Sequence, residues 1–277
     1  MSLHLNGNTI GDLYVGGTKV GEAWLNGQKV YSSAPPASSK TYIFRDIDAN
    51  GKLTLATGAL RDASEITQIG NYGASNAFLS CSGLTGSVSF PNLTSIGRSG
   101  LEGAFQNCTG LTGSVSFPRV TTIGASGLSL AFSYCTGLTG SVYFPDLISV
   151  EPSGLSRTFV GCTGLTGSVS FPSLTTIGNY GLSGAFENCK GLTGSVSFPS
   201  LTTIGSNGLP RAFYKCTGLT GSVSFPKLTS IGVVGLSEVF SGCTGITEVH
   251  FKSSLSSNSE CTASNMGCTN ATVYFDL

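Results

Sequence analysis

Charge is the scarcest thing in this sequence. Asp, Glu, Lys and Arg make up only 10% of 277 residues, and 14 basic side chains balance 14 acidic ones, so the formal net charge is zero. No basic patch is available to neutralise phosphates, so neither nucleic acid nor an anionic membrane surface is expected as a partner. Histidine is nearly absent too: His4 and His250 lie far apart, and neither stands in a metal-ligand spacing or beside a nucleophile motif. There is no Cys-x-x-Cys pair, no P-loop, no HExxH and no Gly-x-Gly-x-x-Gly after a strand. No apolar run reaches the roughly 20 residues of a membrane-spanning helix, so no membrane insertion is expected. Met1-Ser2-Leu3-His4-Leu5-Asn6-Gly7 lacks the basic region and apolar run of a leader. The expectation is synthesis in the cytoplasm without a signal peptide.

Glycine, by contrast, is abundant at 39 residues, and 9 cysteines are present. Seven of these, Cys81, Cys108, Cys135, Cys162, Cys189, Cys216 and Cys243, are each 27 residues apart. A motif repeats around them: Cys108-Thr109-Gly110-Leu111-Thr112-Gly113-Ser114-Val115-Ser116-Phe117-Pro118, then Val120, Thr121-Thr122, Ile123-Gly124, Gly127-Leu128 and Ala131-Phe132. A fixed period of this size means stacked coils of a solenoid, and glycines recurring in register are turn positions rather than signs of disorder. Within one coil Leu111, Val115 and Phe117 alternate with Ser114 and Ser116, which predicts a half-buried strand ended by Pro118. Val120 and Ile123 bracket a second short extended stretch. Leu128, Ala131 and Phe132 have i, i+3, i+4 spacing, which predicts about one helical turn.

The cysteine ladder is expected to be buried free thiol. Stacked coils lie about 4.8 Å apart with side chains pointing in parallel, whereas a disulfide needs its two Cβ atoms turned toward each other. An odd total leaves at least one cysteine unpaired within the chain, and Cys261 and Cys268 could pair, although nothing requires it. The column is lost at Thr54, which marks where the stack begins.

Five segments follow. Residues 1–31 read as a β-hairpin head, with Gly16-Gly17 and Asn26-Gly27 as turn signals between short apolar–polar runs. Residues 32–40 are a Ser/Pro linker. Residues 41–65 hold a third hairpin signal at Ala49-Asn50-Gly51 and an N-terminal cap. Asp46, Asp48, Asn50 and Gly51 also match half of a calcium loop, but Thr57 stands where its bidentate Glu belongs, so a polar turn is the better reading. Residues 66–252 are the solenoid, its first coil degenerate. Residues 253–277 form a C-terminal cap, patternless from Ser253 to Gly267 and closing on a shortened strand near Val273.

The string Ile-Gly-x-x-Gly-Leu-x-x-Ala-Phe-x-x-Cys-x-x-Leu-x-x-x-Val-x-Phe-Pro resembles the BspA-type, or Treponema pallidum-type, leucine-rich repeat. The resemblance implies a β-rich leucine-rich-repeat solenoid of 27-residue coils, with short strands and single helical or 3-10 turns. It also implies a non-catalytic protein that binds a protein or glycan on a cell surface, with no cofactor and no metal. Asp12-Leu13-Tyr14-Val15-Gly16-Gly17-Thr18-Lys19-Val20 and Glu22-Ala23-Trp24-Leu25-Asn26-Gly27-Gln28-Lys29-Val30 resemble short hairpin segments of bacteriophage tail and fibre proteins. That points to assembly with other virion or surface proteins through residues 1–31, and to a phage- or prophage-encoded, tail-associated role. A bacterial cell-surface adhesin is the first alternative, and a structural or ice- or surface-binding solenoid, using the serine lattice of the strands, the second.

No catalytic constellation is visible, since Glu102, Asp146, Glu151, Glu187 and Glu238 fall in different columns of the repeat. Recognition is expected in the columns that vary from coil to coil. They carry Arg98, Tyr134, Asn179, Tyr180, Glu187, Tyr214 and Lys215, with Tyr143 and His250 interrupting the serines of the strand face.

Overall fold

The computed structural model describes residues 61–277 throughout, together with eight short strands within residues 3–53. The repeat folds as a parallel β-solenoid whose coils each contribute three sides to one continuous core. The first side is an eight-stranded parallel sheet running from Lys52–Leu53 and Gln68–Ile69 through Thr122–Ile123 to Ser230–Ile231. Its Ile or Val column points inward. Along its edge the hydroxyls of Thr94, Thr121, Thr175, Thr202 and Thr229 donate to the carbonyl one coil back, 27 residues earlier.

The second side carries the Val-Ser-Phe strands. Val115 pairs with Val88 and Val142, Val196 with Val169, so identical residues stack on identical residues. This side is split into a three-stranded sheet ending at Val142–Tyr143 and a five-stranded sheet starting at Val169–Ser170. The break coincides with a change in the coil that ends the first sheet. Gly113, Gly167, Gly194 and Gly221 enter their strands with φ near +80°, whereas Gly140 does not, and Val142 is left half-buried. The serine lattice is therefore two plates rather than one plane.

The third side differs from the expected single helical or 3-10 turn in where its N–H groups go. In residues 72–80 and their counterparts, alternate N–H groups bond to the carbonyl three residues back, and the others donate to the next coil: Leu101 to Gly127, Gly103 to Ser129, Phe105 to Ala131. A helix would spend all its N–H groups within the coil. Sharing them between coils gives a ribbon of successive turns, with a left-handed residue every fourth position, as at Ser126, Leu130 and Tyr134. The apolar spacing of Leu128, Ala131 and Phe132 is met equally well by this ribbon, which is why periodicity alone does not separate the two.

Two phenylalanine columns fill the interior. In the first, from Phe78 to Phe240, ring centroids of successive coils are 5.1 to 5.7 Å apart and nearly parallel. In the second, from Phe90 to Phe251, the widest step is 6.2 Å, between Phe144 and Phe171, at the break between the two sheets. All nine cysteines are buried free thiols. From Cys108 to Cys243, each Sγ of the ladder donates to a Phe carbonyl 30 residues earlier at 2.9 to 3.0 Å. Burial pushes these thiols well up, to about 12 for Cys135 and Cys243, so they stay protonated donors at neutral pH.

Corrections fall at the N-terminal end. Tyr14–Val15 pairs with Thr18–Lys19 and Glu22–Leu25 with Gln28–Ser32, each antiparallel, and a further pair, Leu3–Leu5 with Asn8–Ile10, flanks Asn6-Gly7. The turn expected at Ala49-Asn50-Gly51 lies outside the described residues, and the strands described on either side of it do not pair with each other. Lys52–Leu53 pairs parallel with Gln68–Ile69, and Tyr42–Ile43 pairs with Arg61–Asp62 instead. The reason is edge protection: Leu53 beside Ile69 covers the open flank of the first regular coil. Most of the 32–40 linker, the partial calcium loop from Asp46 to Gly51, Thr57 and Thr54 lie outside the described residues.

The C-terminal cap holds a short helix, Ala263–Met266, and a last strand, Thr272–Tyr274, paired with Gly245–Phe251. Because the ribbon N–H groups that bond between coils all aim toward this end, the last coil presents donors that no further coil accepts. The Glu260 carboxylate takes the N–H of Val234 at 3.0 Å and of Leu236 at 3.1 Å, while the carbonyls of Asn265 and Met266 take Glu238 and Phe240. An anion suits this end, where aligned peptide dipoles leave positive charge. Glu260→Ala should therefore cost about 2 kcal/mol. Hydrogen exchange checks it: the Val234 and Leu236 amides should lose protection, and unchanged protection would disprove the capping role.

Candidate functional site

The outer face of the ribbon brings together the residues best suited to recognition. The left-handed positions leave Tyr134, Arg157, Arg211 and Lys215 exposed on a backbone fixed by bonds to both neighbouring coils. Tyr134 lies over Gly161 of the next coil; a Cβ there would stand 2.6 Å from the ring, so the glycine is what lets the ring lie flat. Arg157 extends in the same way over Gly184, toward Glu187. Gln106, Ser133, Tyr134, Arg157, Val160 and Glu187 line a groove of about 260 Å³. The Ser133 hydroxyl in its wall is fully buried and has no hydrogen-bond partner.

One coil further, the Arg211 guanidinium carbon lies 5.3 Å and the Lys215 ammonium 4.9 Å from the centroid of the Tyr214 ring. Arg211 is in turn held by Glu238 at 2.6 Å. Such an exposed pair adds little stability, but it fixes the direction of the guanidinium. The face thus offers aromatic platforms and planar charged groups of both signs. No nucleophile stands beside a base in it, and among the described residues no group of three or more His, Cys, Asp or Glu is placed to hold a metal ion. No helix among them is long and apolar enough to cross a membrane.

The residues singled out from the sequence divide among three places. Tyr134, Glu187, Tyr214 and Lys215 fall on this face. Arg98 and Asn179 fall at the other corner of the coil, between the eight-stranded sheet and the ribbon, and Tyr180 is the first left-handed position of the ribbon beside them. There the Asn179 side-chain Oδ1 accepts the Ser206 N–H at 2.9 Å, and Asn71 Oδ1 does the same for Arg98, so Asn179 has a structural task. Tyr143 lies on the strand side at the break, in a groove of about 220 Å³ with Ser141, Pro145, Ser168, Ser170 and Pro172. Arg157 and Arg211, not expected from the sequence, also fall on this face. Their signal was the pair before Ala-Phe in each repeat, which varies as Ser129-Leu130, Ser156-Arg157, Ser183-Gly184 and Pro210-Arg211.

His250 lies at the far end of the strand side, stacked on Tyr274 at 4.8 Å. Its Nδ1 meets Asp276 at 3.0 Å and its Nε2 meets Glu248 at 3.4 Å. The hydrogen bond to Asp276, aided by Glu248, raises its pKa above 6.5 against a smaller opposing effect of burial. A raised folded-state pKa means the contribution to stability is fully present below about pH 6.5 and is lost as pH rises through the folded value. In an NMR titration the His250 ring should titrate above 6.5 and return toward it in Asp276→Asn. Titration at or below 6.5 in the wild type would refute the clasp.

The family model for the BspA type leucine rich repeat region matches residues 67–207 and 209–275, in 6 copies. No curated protein matches the chain. Among solved structures, the T. pallidum leucine rich repeat protein TpLRR is 22% identical, over 78% of this chain and 81% of that one, with a TM-score of 0.42. A leucine-rich repeat protein from Bacteroides ovatus is 18% identical over 88% of this chain and 76% of that one, with a TM-score of 0.30. A leucine rich cell surface protein from Faecalibacterium prausnitzii is 14% identical over 88% and 94%, with a TM-score of 0.25.

Proposed function

We propose that this chain, which belongs to the BspA type leucine rich repeat family, is a non-catalytic binding protein that recognises a protein or glycan displayed on a cell surface through its turn ribbon. The observation that carries this reading is the grouping of Tyr134, Arg157, Arg211 and Tyr214 on one rigid face. Tyrosine and arginine are the residue types that most often dominate binding energy, and here their backbone is ordered before any ligand arrives. The hairpins of residues 1–31 attach the solenoid to a larger assembly, a phage or prophage tail. A bacterial surface adhesin would use the same ribbon with a different attachment.

Cell binding by the full chain tests the first part. Arg211→Ala and Tyr214→Ala, both at exposed or half-buried positions, should weaken binding at least tenfold while leaving the melting temperature near that of the wild type. Arg98→Ala, on the other corner, should bind as the wild type does. Equal binding by all three variants would overturn the ribbon as the recognition face. Fractionating induced particles tests the second part: the chain should travel with tails, and recovery only with the cell envelope would favour the adhesin.

A further inference from the structure

We propose that the groove beside Tyr134 is a subsite for one neutral hexopyranose unit of a glycan, an assignment that rests on the ribbon being the recognition face. Its size limits the ligand first. At about 260 Å³ it lies below the roughly 300 Å³ at which drug-sized pockets begin, and it suits a single ring. The chemistry of the walls limits it next. The Tyr134 ring, laid over Gly161 with half its surface exposed, offers a flat aromatic face to the C–H groups of a sugar ring. Gln106, Arg157 and Glu187 stand around it as planar groups, supplying donors and acceptors together, the pattern that vicinal hydroxyls satisfy.

Charge and backbone narrow the choice further. Arg157 and Glu187 sum to zero, so an acidic sugar would gain from one and be repelled by the other. A peptide docks most readily by adding a strand to an open edge, but the ribbon N–H and C=O groups here are already used between coils, as in Tyr134 to Val160 and Gly161 to Glu187. Recognition must therefore run through side chains. Ser133 adds an independent observation. Its hydroxyl is wholly buried in the groove wall without a partner, and a native protein rarely leaves such a group unmatched without a use for it. Slight movement of Tyr134 on ligand entry would expose it to a sugar hydroxyl. The groove at Tyr143 has an exposed ring as well, but serines, prolines and Val142 line the rest of it, with no charged or amide side chain.

The test is an NMR titration of the ¹⁵N-labelled full chain with the methyl glycosides of glucose, galactose, mannose and N-acetylglucosamine. At least one should shift the amides of Gln106, Ser133, Tyr134, Arg157 and Glu187 in a saturable way. Tyr134→Asn removes the ring while keeping a residue that tolerates the left-handed backbone, and it should weaken that binding at least tenfold. Tyr134→Phe should retain it, and Glu187→Gln should weaken it several-fold. Absence of saturable shifts with all four sugars, or shifts confined to Tyr143 or Tyr214, would overturn the subsite. If Tyr134→Asn loses no sugar affinity the subsite is also wrong. Should sugar binding fail while Arg211→Ala and Tyr214→Ala still impair binding to cells, the ribbon reading survives without the subsite. Should those variants bind cells normally, the ribbon reading itself falls.

Discussion

Replacing Phe186 by alanine should lower the unfolding free energy by about 3–5 kcal/mol, measured by urea denaturation. The ring sits in a middle coil, 1% exposed, with Phe159 stacked at 5.2 Å on one side and Phe213 at 5.3 Å on the other. It also meets the second column, 6.4 Å from Phe171 and tilted at 59°. Removing it deletes contacts across two coil interfaces at once. The cavity cannot close, because the backbones on either side are held by inter-coil bonds such as Phe159 to Ala185 and Phe186 to Ala212. In a solenoid each coil is stabilised only by its neighbours, so a weakened central interface lowers the cooperativity of the whole stack. Phe240→Ala, in the last coil of this column, should cost less, since its stacked partner is Phe213 alone at 5.7 Å. Equal losses at the two positions, or a loss near 1 kcal/mol at Phe186, would show that the rings are not coupled along the column.

The architecture was legible in the sequence because one coil cannot bury its own apolar face. Leu111, Val115, Phe117, Ile123, Leu128 and Phe132 make a core only when 27-residue copies stack, so the period itself carries the fold. What the period did not carry was hydrogen-bond destination. Leu128, Ala131 and Phe132 point inward whether the segment is helix or turn ribbon, and only the coil-to-coil bonds distinguish them. The left-handed positions were hidden for a related reason. Tyr134, Arg157 and Lys215 are not the residues that ordinarily mark positive φ, and the ribbon holds them there through bonds made elsewhere. The variable columns drew attention to Tyr134, Glu187, Tyr214 and Lys215. Variation does not report which columns face one another, so it passes over Arg157 and Arg211 and points to Asn179, whose side-chain oxygen serves a backbone N–H. The break beside Tyr143 was half visible: the outward Tyr was plain, but the path of Gly140 was not.

Gly191→Ala should be nearly as damaging, for a reason that lies in the spacing of the coils rather than in burial. A Cβ at Gly191 would stand 2.6 Å from the Leu165 carbonyl oxygen and 2.7 Å from that of Thr163. Both are backbone atoms of the preceding coil, and the same clash recurs at Gly110, Gly137, Gly164, Gly218 and Gly245. Flexible side chains can swing away from an added methyl, but here the coils themselves would have to part against the strand ladder and the packed phenylalanines. Overpacking of this kind costs about 3 kcal/mol, which for a chain of this size is a fall of roughly 6–12 °C in melting temperature. The molecule supplies its own control. Gly83 occupies the same column at the start of the stack, where an added Cβ meets no atom of the described residues within 4 Å. Gly83→Ala should be neutral or stabilise by a few tenths of a kcal/mol, because there the methyl only restricts the unfolded chain. Comparable losses at both positions would mean that the glycine column serves backbone conformation and not the close approach of coil to coil. A loss confined to Gly191 would establish that this column sets the pitch on which the cysteine, phenylalanine and ribbon ladders all depend.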